Sequence, residues 1–220
     1  MLTTANGRPV VIDGGKAGIL FELDAKTGRL LWKLPVGGHD NDGLLTENAT
    51  PPSPIPLPAT FDLEPGVFGG VESQLATNGS TTFAAVNNLG VPISVKGVAE
   101  SSSAFSAAIS KATGEMVAVN QDTGKVVWDD KLPSSPYGAA AVTNNVVFTT
   151  TYNGHLYAFN AATGAILLNT PLSAQTNAPV TIDGDYVIVG AGLAVSTAQQ
   201  PLIIAYKLGA NGKLPHKVGP

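Results

Sequence analysis

The stretch Asn120-Gln-Asp-Thr-Gly-Lys-Val-Val-Trp128 decides the fold of this chain, because related forms of it occur three times. The other copies read Asp24-Ala-Lys-Thr-Gly-Arg-Leu-Leu-Trp32 and Asn160-Ala-Ala-Thr-Gly-Ala-Ile-Leu-Leu168. Each copy follows a short apolar run, so the repeated unit contains a strand, a Thr-Gly turn and a second strand. Units of this kind need neighbouring units to bury their apolar faces, and the sequence therefore predicts an array of β repeats.

The spacing of the copies indicates the type of repeat. Thr123 and Thr163 are 40 residues apart, which is the length of one four-stranded propeller blade. Thr27 and Thr123 are 96 residues apart, so an insertion or an irregular blade separates the first two copies. We therefore predict an all-β fold: a partial β-propeller of about four blades of four-stranded antiparallel sheets, the first and last of them incomplete.

The predicted blades and loops divide the whole chain. They are an incomplete first blade (1–36), a Pro-rich loop (37–66), a second blade (67–133) with a long inserted loop (89–112), a third blade (134–173), an incomplete fourth blade (174–209) and a tail (210–220). The innermost strand of the first blade is absent or lies before residue 9, and that of the second blade is predicted near 71–76.

An arc of four blades leaves unpaired strand edges at both ends, which native proteins avoid. We therefore expect this chain to be a fragment of a seven- or eight-bladed propeller. Either the rest of a longer protein or a second copy of the chain would close the ring.

Composition narrows the classes of partner and site. The net charge is −4 without a basic cluster, which argues against nucleic acid as a partner. No apolar run reaches the length of about 18 residues that a membrane span needs. The N-terminus has neither the charged nor the apolar region of a signal peptide. The chain contains no cysteine, which excludes disulfides, zinc thiolate sites and cysteine nucleophiles.

The Thr-Gly-x-x-x-Trp pattern resembles the tryptophan-docking motif of quinoprotein propellers. The resemblance implies that the tryptophan of one blade packs on the glycine-containing turn of its neighbour. The residues that match are Trp32, Trp128, Gly28, Gly124 and Gly164, while Leu168 replaces the third tryptophan. Residues 15–28 are similar to the segment of pyrroloquinoline-quinone (PQQ) alcohol dehydrogenases that carries a cofactor-binding Arg or Lys. The overall pattern is closest to bacterial PQQ-binding-like β-propeller repeat proteins.

This resemblance implies two candidate cofactor-binding residues. Lys16 stands at the position of the cofactor-binding Arg or Lys, and the alternative is a solvated hairpin lysine. Glu72 follows Gly69-Gly70 and stands, with Ser73, where the family has Asn-Trp. On an innermost strand, Glu72 would line the central channel and could act there as a metal ligand, a base or a hydrogen-bond acceptor. The alternative is a structural carboxylate whose hydrogen bonds are made by strand amides or by a lysine.

PQQ and Ca²⁺ are implied as cofactors by the resemblance alone. The family's catalytic Asp, its metal ligands and the Trp beneath the cofactor lie mostly upstream of the segment that carries Lys16. We therefore expect no calcium-bound quinone on this chain by itself, and the catalytic residues stay unassigned.

Other polar clusters predict no specific site. His39-Asp-Asn-Asp42 offers hard ligands for a cation but lacks the pattern of an EF-hand, so it is interpreted as a polar turn. The histidines, His39, His155 and His216, share no metal-ligand spacing. Ser101–Ser103 lies in no Gly-x-Ser-x-Gly elbow, and no phosphate-binding glycine loop precedes a helix.

Three functions remain open. The first is part of a PQQ-dependent dehydrogenase that oxidises an alcohol or a sugar, with Ca²⁺ as Lewis acid. The second is a non-catalytic propeller that serves as a protein-interaction scaffold in the cell envelope. The third is a half-propeller that dimerises. The resemblance implies a periplasmic or extracellular location.

Overall fold

The computed structural model describes residues 1–44, 60–94, 97–98 and 108–210 as five antiparallel sheets, with strands numbered along the chain. The first sheet contains β1 (Leu2–Ala5), β2 (Arg8–Gly15), β3 (Ile19–Asp24) and β4 (Leu30–Pro35). The second contains β6 (Ala76–Thr77), β7 (Thr81–Asn88), β10 (Thr113–Asn120) and β11 (Val126–Leu132). The third contains β12 (Ala141–Thr143), β13 (Val146–Thr151), β14 (His155–Asn160) and β15 (Ile166–Pro171). The fourth has three strands: β16 (Thr181–Asp183), β17 (Tyr186–Ala191) and β18 (Leu202–Lys207).

Each of these four sheets is a meander in which consecutive strands pair, and neighbouring sheets pack face to face. Between the second and third sheets, the ring centroids of Phe83 and Phe159 each lie 5.9 Å from that of Trp128. Leu20 and Val117 belong to the apolar cluster between the first two sheets. The predicted all-β partial propeller is confirmed, and the four sheets do not close into a ring within the described ranges.

The first sheet has one strand more than the pattern within residues 9–34 predicts. The additional strand is β1, which lies before residue 9 and pairs with β2 from Leu2↔Val11 to Ala5↔Arg8. Of the two alternatives for the innermost strand, absent or before residue 9, the structure shows the second, so the blade predicted as incomplete has four strands. The sequence pattern did not reveal β1 because this strand is short, and four residues with two threonines give little apolar periodicity.

Two stretches that the sequence predicts as loops contain a fifth, inserted sheet. It consists of β5 (Thr60–Leu63), β8 (Val91–Ser94) and β9 (Gly97–Val98). β5 pairs with β8 from Thr60↔Ser94 to Leu63↔Val91. This pairing joins parts of the chain about 30 residues apart, so local sequence signals did not reveal it. Three stretches named in the sequence analysis lie outside the described residues: the Pro-rich stretch 50–58, Ser101–Ser103 and the tail with His216.

The connections between strands lie at two opposite ends of the sheets. The Thr-Gly turns join the third strand of a blade to the fourth and lie at one end. The turn from β2 to β3, the connection from β7 to β10 and the links between sheets lie at the other end, because strand direction alternates in a meander. This second end carries the long insertions and both candidate cofactor-binding residues.

Candidate functional site

The site is built where the link into the second sheet crosses the turn between β2 and β3. Gly70 has φ +76°, and a Cβ at this position would lie 2.5 Å from the carbonyl oxygen of Lys16. The Val71 N–H donates to the Gly15 carbonyl oxygen at 3.0 Å. Only glycine accommodates both this conformation and this close approach, so Gly70 holds the two segments together.

Lys16 lies in the β2–β3 turn and already has three partners. Its Nζ donates to the Val67 carbonyl oxygen at 2.5 Å, lies 2.6 Å from Glu72 Oε1, and sits 5.0 Å from the centroid of the Phe68 ring. The side chain is nevertheless 59% exposed. An ammonium has three N–H donors, so Lys16 can reach an additional acceptor on its solvent side.

The structure brings Lys16 and Glu72 together, but it does not place Glu72 on a strand. β6 begins only at Ala76, and before it the segment makes an isolated bridge between Gly70 and Asn87. The prediction of an innermost strand over 71–76 is corrected accordingly, since Val71 bonds to the first sheet and not to β7. Glu72 therefore lies on an irregular segment at the end of the blade.

Glu72 is the less exposed member of the pair, with 16% of its side chain exposed. Its Oε1 contacts Lys16 without the geometry of a hydrogen bond, and Ser73 Oγ is also buried with no hydrogen-bond partner in the described part of the chain. Buried polar atoms in folded proteins are usually hydrogen-bonded. The segment thus presents two under-satisfied polar groups beside an exposed ammonium.

Tyr137 completes this arrangement, and the sequence did not reveal it. Its hydroxyl donates to the Phe68 carbonyl oxygen at 2.9 Å, and its ring meets the Tyr152 ring edge-on at a centroid distance of 6.0 Å. Burial, and after it the negative charge of Glu72, raise the pKa of Tyr137 well above its usual value. The hydroxyl therefore stays protonated and acts as a donor.

A weak repeat signal could have identified Phe68 and Tyr137. Each precedes a glycine in the link that enters an innermost strand, as Phe68-Gly69 and Tyr137-Gly138. The residue after each pair, Gly70 or Ala139, has a positive φ. The two links thus share an aromatic–glycine corner that the Thr-Gly repeat does not include.

His39 ties the Lys16 turn to the link that follows the first sheet. Its Nδ1 lies 2.7 Å from Asp42 Oδ2, and its Nε2 lies 3.2 Å from the Gly18 carbonyl oxygen. Burial acts to lower the pKa of His39, but the hydrogen bonds and charge of Asp42 and the Gly18 carbonyl outweigh it and raise the pKa above 6.5. The imidazolium form can donate to both partners at once.

This arrangement predicts a pH dependence. Because the pKa of His39 is higher in the folded state, its contribution to stability is fully present below pH 6.5 and is lost as the pH rises through the folded value. Unfolding measured as a function of pH should show this loss in the wild type and not in His39→Gln. An NMR titration of His39 with a midpoint at or below 6.5 would contradict the prediction.

A separate concavity of about 620 Å³ lies against the inserted sheet. Its lining includes Asp40, Asp62, Glu64 and Lys111, but neither Lys16 nor Glu72. Burial, and then the charge of Asp40, raise the pKa of Glu64 above its usual value. The concavity is therefore distinct from the Lys16–Glu72 pair.

Metal-binding geometry is not found in the described ranges, where no three His, Asp or Glu side chains are placed to hold an ion. His155 Nδ1 lies 2.7 Å from Asn169 Oδ1, apart from the other described histidine. Among the described helices, none has the length and apolar character needed to cross a membrane.

The structure places both tryptophans against the turn of the following blade. A Cβ at Gly124 would lie 2.7 Å from the ring of Trp32, and one at Gly164 would lie 2.9 Å from the ring of Trp128. Both indole N–H groups donate at 2.9 Å to a carbonyl oxygen of the same turn; the acceptors are those of Gln121 and Ala161. At Gly28, in contrast, the described residues place no atom within 4 Å of the Cβ position.

Comparison with known proteins bears on the fold. Residues 112–207 match the PQQ repeat family described as outer membrane protein assembly factor BamB. No curated protein matches the chain. The chain resembles the quinohemoprotein alcohol dehydrogenase ADHIIG from Pseudomonas putida HK5 with a TM-score of 0.71 and 17% identity, covering 100% of this chain and 40% of that chain.

Two further structures are similar. For the quinohemoprotein alcohol dehydrogenase from Comamonas testosteroni the TM-score is 0.69 at 19% identity, covering 99% of this chain and 38% of that one. For a europium-containing methanol dehydrogenase the TM-score is 0.61 at 16% identity, and the match covers 88% of this chain and 39% of that one. The chain thus spans about 40% of the length of the dehydrogenases it resembles. The resemblance to PQQ-type β-propeller repeat proteins is confirmed, and at these identities the likeness to the dehydrogenases shows the fold alone.

Proposed function

We propose that this chain, which carries PQQ-type propeller repeats, forms part of a periplasmic or extracellular quinoprotein-like dehydrogenase that oxidises an alcohol or a sugar. The observation that carries the proposal is the contact of Lys16 with Glu72, 2.6 Å apart, at the insertion-bearing end of the sheets. Lys16 occupies the position that the family resemblance assigns to cofactor binding. The similar dehydrogenase structures support the same architecture.

The residues present fit one part of such a cofactor. The exposed ammonium of Lys16 suits an anionic or carbonyl oxygen. The Ser73 hydroxyl directly follows Glu72 in sequence, is buried without a partner in the described part of the chain, and is a further donor. The described ranges offer no cluster that would hold Ca²⁺. The metal ligands would therefore have to come from elsewhere in the complete protein.

At this end of the sheets, the cofactor and the chain would have different roles in the reaction. A bound quinone supplies the two-electron acceptor for substrate oxidation. Glu72 and the Val67 carbonyl fix the orientation of Lys16, and the neutral Tyr137 hydroxyl fixes the backbone of Phe68, whose ring lies under the ammonium. Held in this way, Lys16 would donate a charge-assisted hydrogen bond to an oxygen of the bound cofactor.

Reconstitution of the full-length protein with PQQ and Ca²⁺, followed by dye reduction with alcohols, tests the proposal. Lys16→Ala should weaken PQQ binding about tenfold or more, because a charge-assisted hydrogen bond contributes about 1.5–3 kcal/mol. Lys16→Arg should retain part of the affinity, and Lys26→Ala, at an exposed turn lysine, should leave it unchanged. If the wild type does not bind PQQ, or if Lys16→Ala binds it equally well, the proposal is wrong.

A second candidate function is a non-catalytic scaffold for protein interactions in the cell envelope. The match of residues 112–207 to the BamB family favours it. A defined protein partner that binds equally well with and without PQQ, and equally well to Lys16→Ala, would support the scaffold. A partner whose binding requires the quinone would argue against it.

A further inference from the structure

Each of the two ring nitrogens of His39 faces a hydrogen-bond acceptor. Nδ1 lies 2.7 Å from Asp42 Oδ2, and Nε2 lies 3.2 Å from the Gly18 carbonyl oxygen. A carboxylate and a carbonyl oxygen can only accept, so both contacts are hydrogen bonds only when both nitrogens carry a proton. The imidazolium form therefore satisfies this arrangement, and the neutral form does not.

Deprotonation of the ring breaks the weaker of these two hydrogen bonds. The neutral imidazole keeps a single N–H. Asp42 is the stronger acceptor, because its contact is shorter and a hydrogen bond to an ionised group is stronger than one to a neutral group. The remaining proton therefore stays on Nδ1. Nε2 then directs a lone pair at the Gly18 carbonyl oxygen, so an attraction becomes a repulsion.

The Gly18 carbonyl oxygen belongs to the turn that carries Lys16. The Gly18 N–H donates to the Gly15 carbonyl oxygen at 2.9 Å and closes this turn. On one side, the Val71 N–H donates to the same Gly15 oxygen at 3.0 Å, and Gly70 lies against the Lys16 carbonyl oxygen. The contacts on this side are between backbone atoms, so they do not titrate.

The other side of the turn is held by the link that follows β4. The Val36 N–H donates to the Gly18 carbonyl oxygen at 2.8 Å, and His39 Nε2 reaches the same oxygen. Gly18 has φ +62°, and a Cβ at this position would lie 2.9 Å from the Val36 carbonyl oxygen, so the turn and the link fit closely. Because the Val36 bond does not titrate, deprotonation of His39 loosens the turn without detaching it.

The charged groups around His39 favour its protonated form. Asp40 and Asp42 belong to its own link, and the charge of His39 also acts on Glu64 at the end of β5. Lys16 is the one charged residue of the neighbouring turn. The pKa of His39 lies above 6.5, because the effect of burial is outweighed by Asp42 and by nearby backbone carbonyl oxygens. The ring is therefore charged at pH 6.5 and loses its charge as the pH rises further.

We propose that His39 is a positioning residue for Lys16. Its imidazolium holds the β2–β3 turn at the Gly18 carbonyl oxygen, and its deprotonation loosens this turn, so that Lys16 binds an anionic oxygen more weakly as the pH rises. The proposal rests on the proposed role of Lys16 in cofactor binding and adds its regulation by pH. The affinity of Lys16 for an anion should therefore be highest where His39 is charged.

Backbone order parameters from NMR test the positioning role without a cofactor. In the full-length protein, those of Lys16 and Ala17 should fall as the pH rises through the midpoint of His39, and in His39→Gln they should not depend on pH. His155→Gln, at the other described histidine, should behave as the wild type. Asp42→Asn removes the charge that supports the imidazolium, so the midpoints of His39 and of the turn should move to lower pH together. Order parameters that do not respond to pH, or that respond equally in His39→Gln, would overturn the proposal.

Binding of PQQ to the full-length protein measures the consequence for Lys16. The affinity should fall about threefold across the same pH interval, which corresponds to part of one hydrogen bond. In His39→Gln the affinity should stay constant, and His155→Gln should keep the pH dependence of the wild type. A constant affinity in the wild type, or an equal fall in His39→Gln, would overturn the coupling to Lys16. If PQQ does not bind at any pH, the proposed function is wrong, and the order parameters still decide whether His39 positions Lys16.

Discussion

Replacing Trp128 by alanine is expected to lower the free energy of unfolding by about 3–5 kcal/mol, the range for removal of a large buried aromatic ring. Trp128 is 9% exposed and packs between Phe83 and Phe159, with both ring centroids at 5.9 Å. Its N–H donates to the Ala161 carbonyl oxygen, which would lose its partner. Denaturant titration monitored by circular dichroism measures the loss.

Val127→Ala is the matched control for this substitution. Val127 lies on the same strand but is 48% exposed, so its truncation should cost well under 1 kcal/mol, as is usual for surface substitutions. If Trp128→Ala cost no more than Val127→Ala, the second and third sheets would not depend on the tryptophan for their packing.

Replacing Gly70 by alanine is expected to cost about 2–5 kcal/mol and to move the Lys16 turn. The left-handed conformation contributes about 1–2 kcal/mol for a non-glycine residue. The new Cβ, 2.5 Å from the Lys16 carbonyl oxygen, adds an overpacking term of about 1–3 kcal/mol. Because the obstacle is backbone, the turn that carries Lys16 must shift away from Glu72.

Gly7→Ala separates the two contributions, since Gly7 has φ +71° and an open Cβ position. It should show only the cost of the backbone conformation. Chemical shifts of the Lys16 and Gly18 amides should change in Gly70→Ala and not in Gly7→Ala. Equal destabilisation by the two substitutions would show that the segments are not in close contact.

The fold could be predicted from the sequence because its signals are local and repeated. The Thr-Gly turns, spaced 40 residues apart in the second and third copies, identified the blades. What escaped prediction was either too short, as β1 is, or paired over a long distance, as β5 and β8 are.

The candidate site was predictable only in part. Lys16 and Glu72 were identified from a resemblance, without any indication that they touch each other. Tyr137 was missed because a tyrosine in a loop has no chemical pattern, and its role depends on the Phe68 carbonyl that it meets. Glu115, buried on β10, was missed in the same way, although it accepts the Gly37 N–H at 2.6 Å and so joins the first two sheets.

The sequence by itself determined the repeat, and with it the all-β architecture and the position of the turns. These features depend on neighbours within about ten residues, where turn chemistry and apolar alternation act directly. Tertiary structure alone decided that Lys16 meets Glu72, that Val71 bonds to the first sheet, and that no ring of the described residues covers Gly28. Each of these depends on how one sheet stacks on the next, and stacking brings together residues that no local pattern connects.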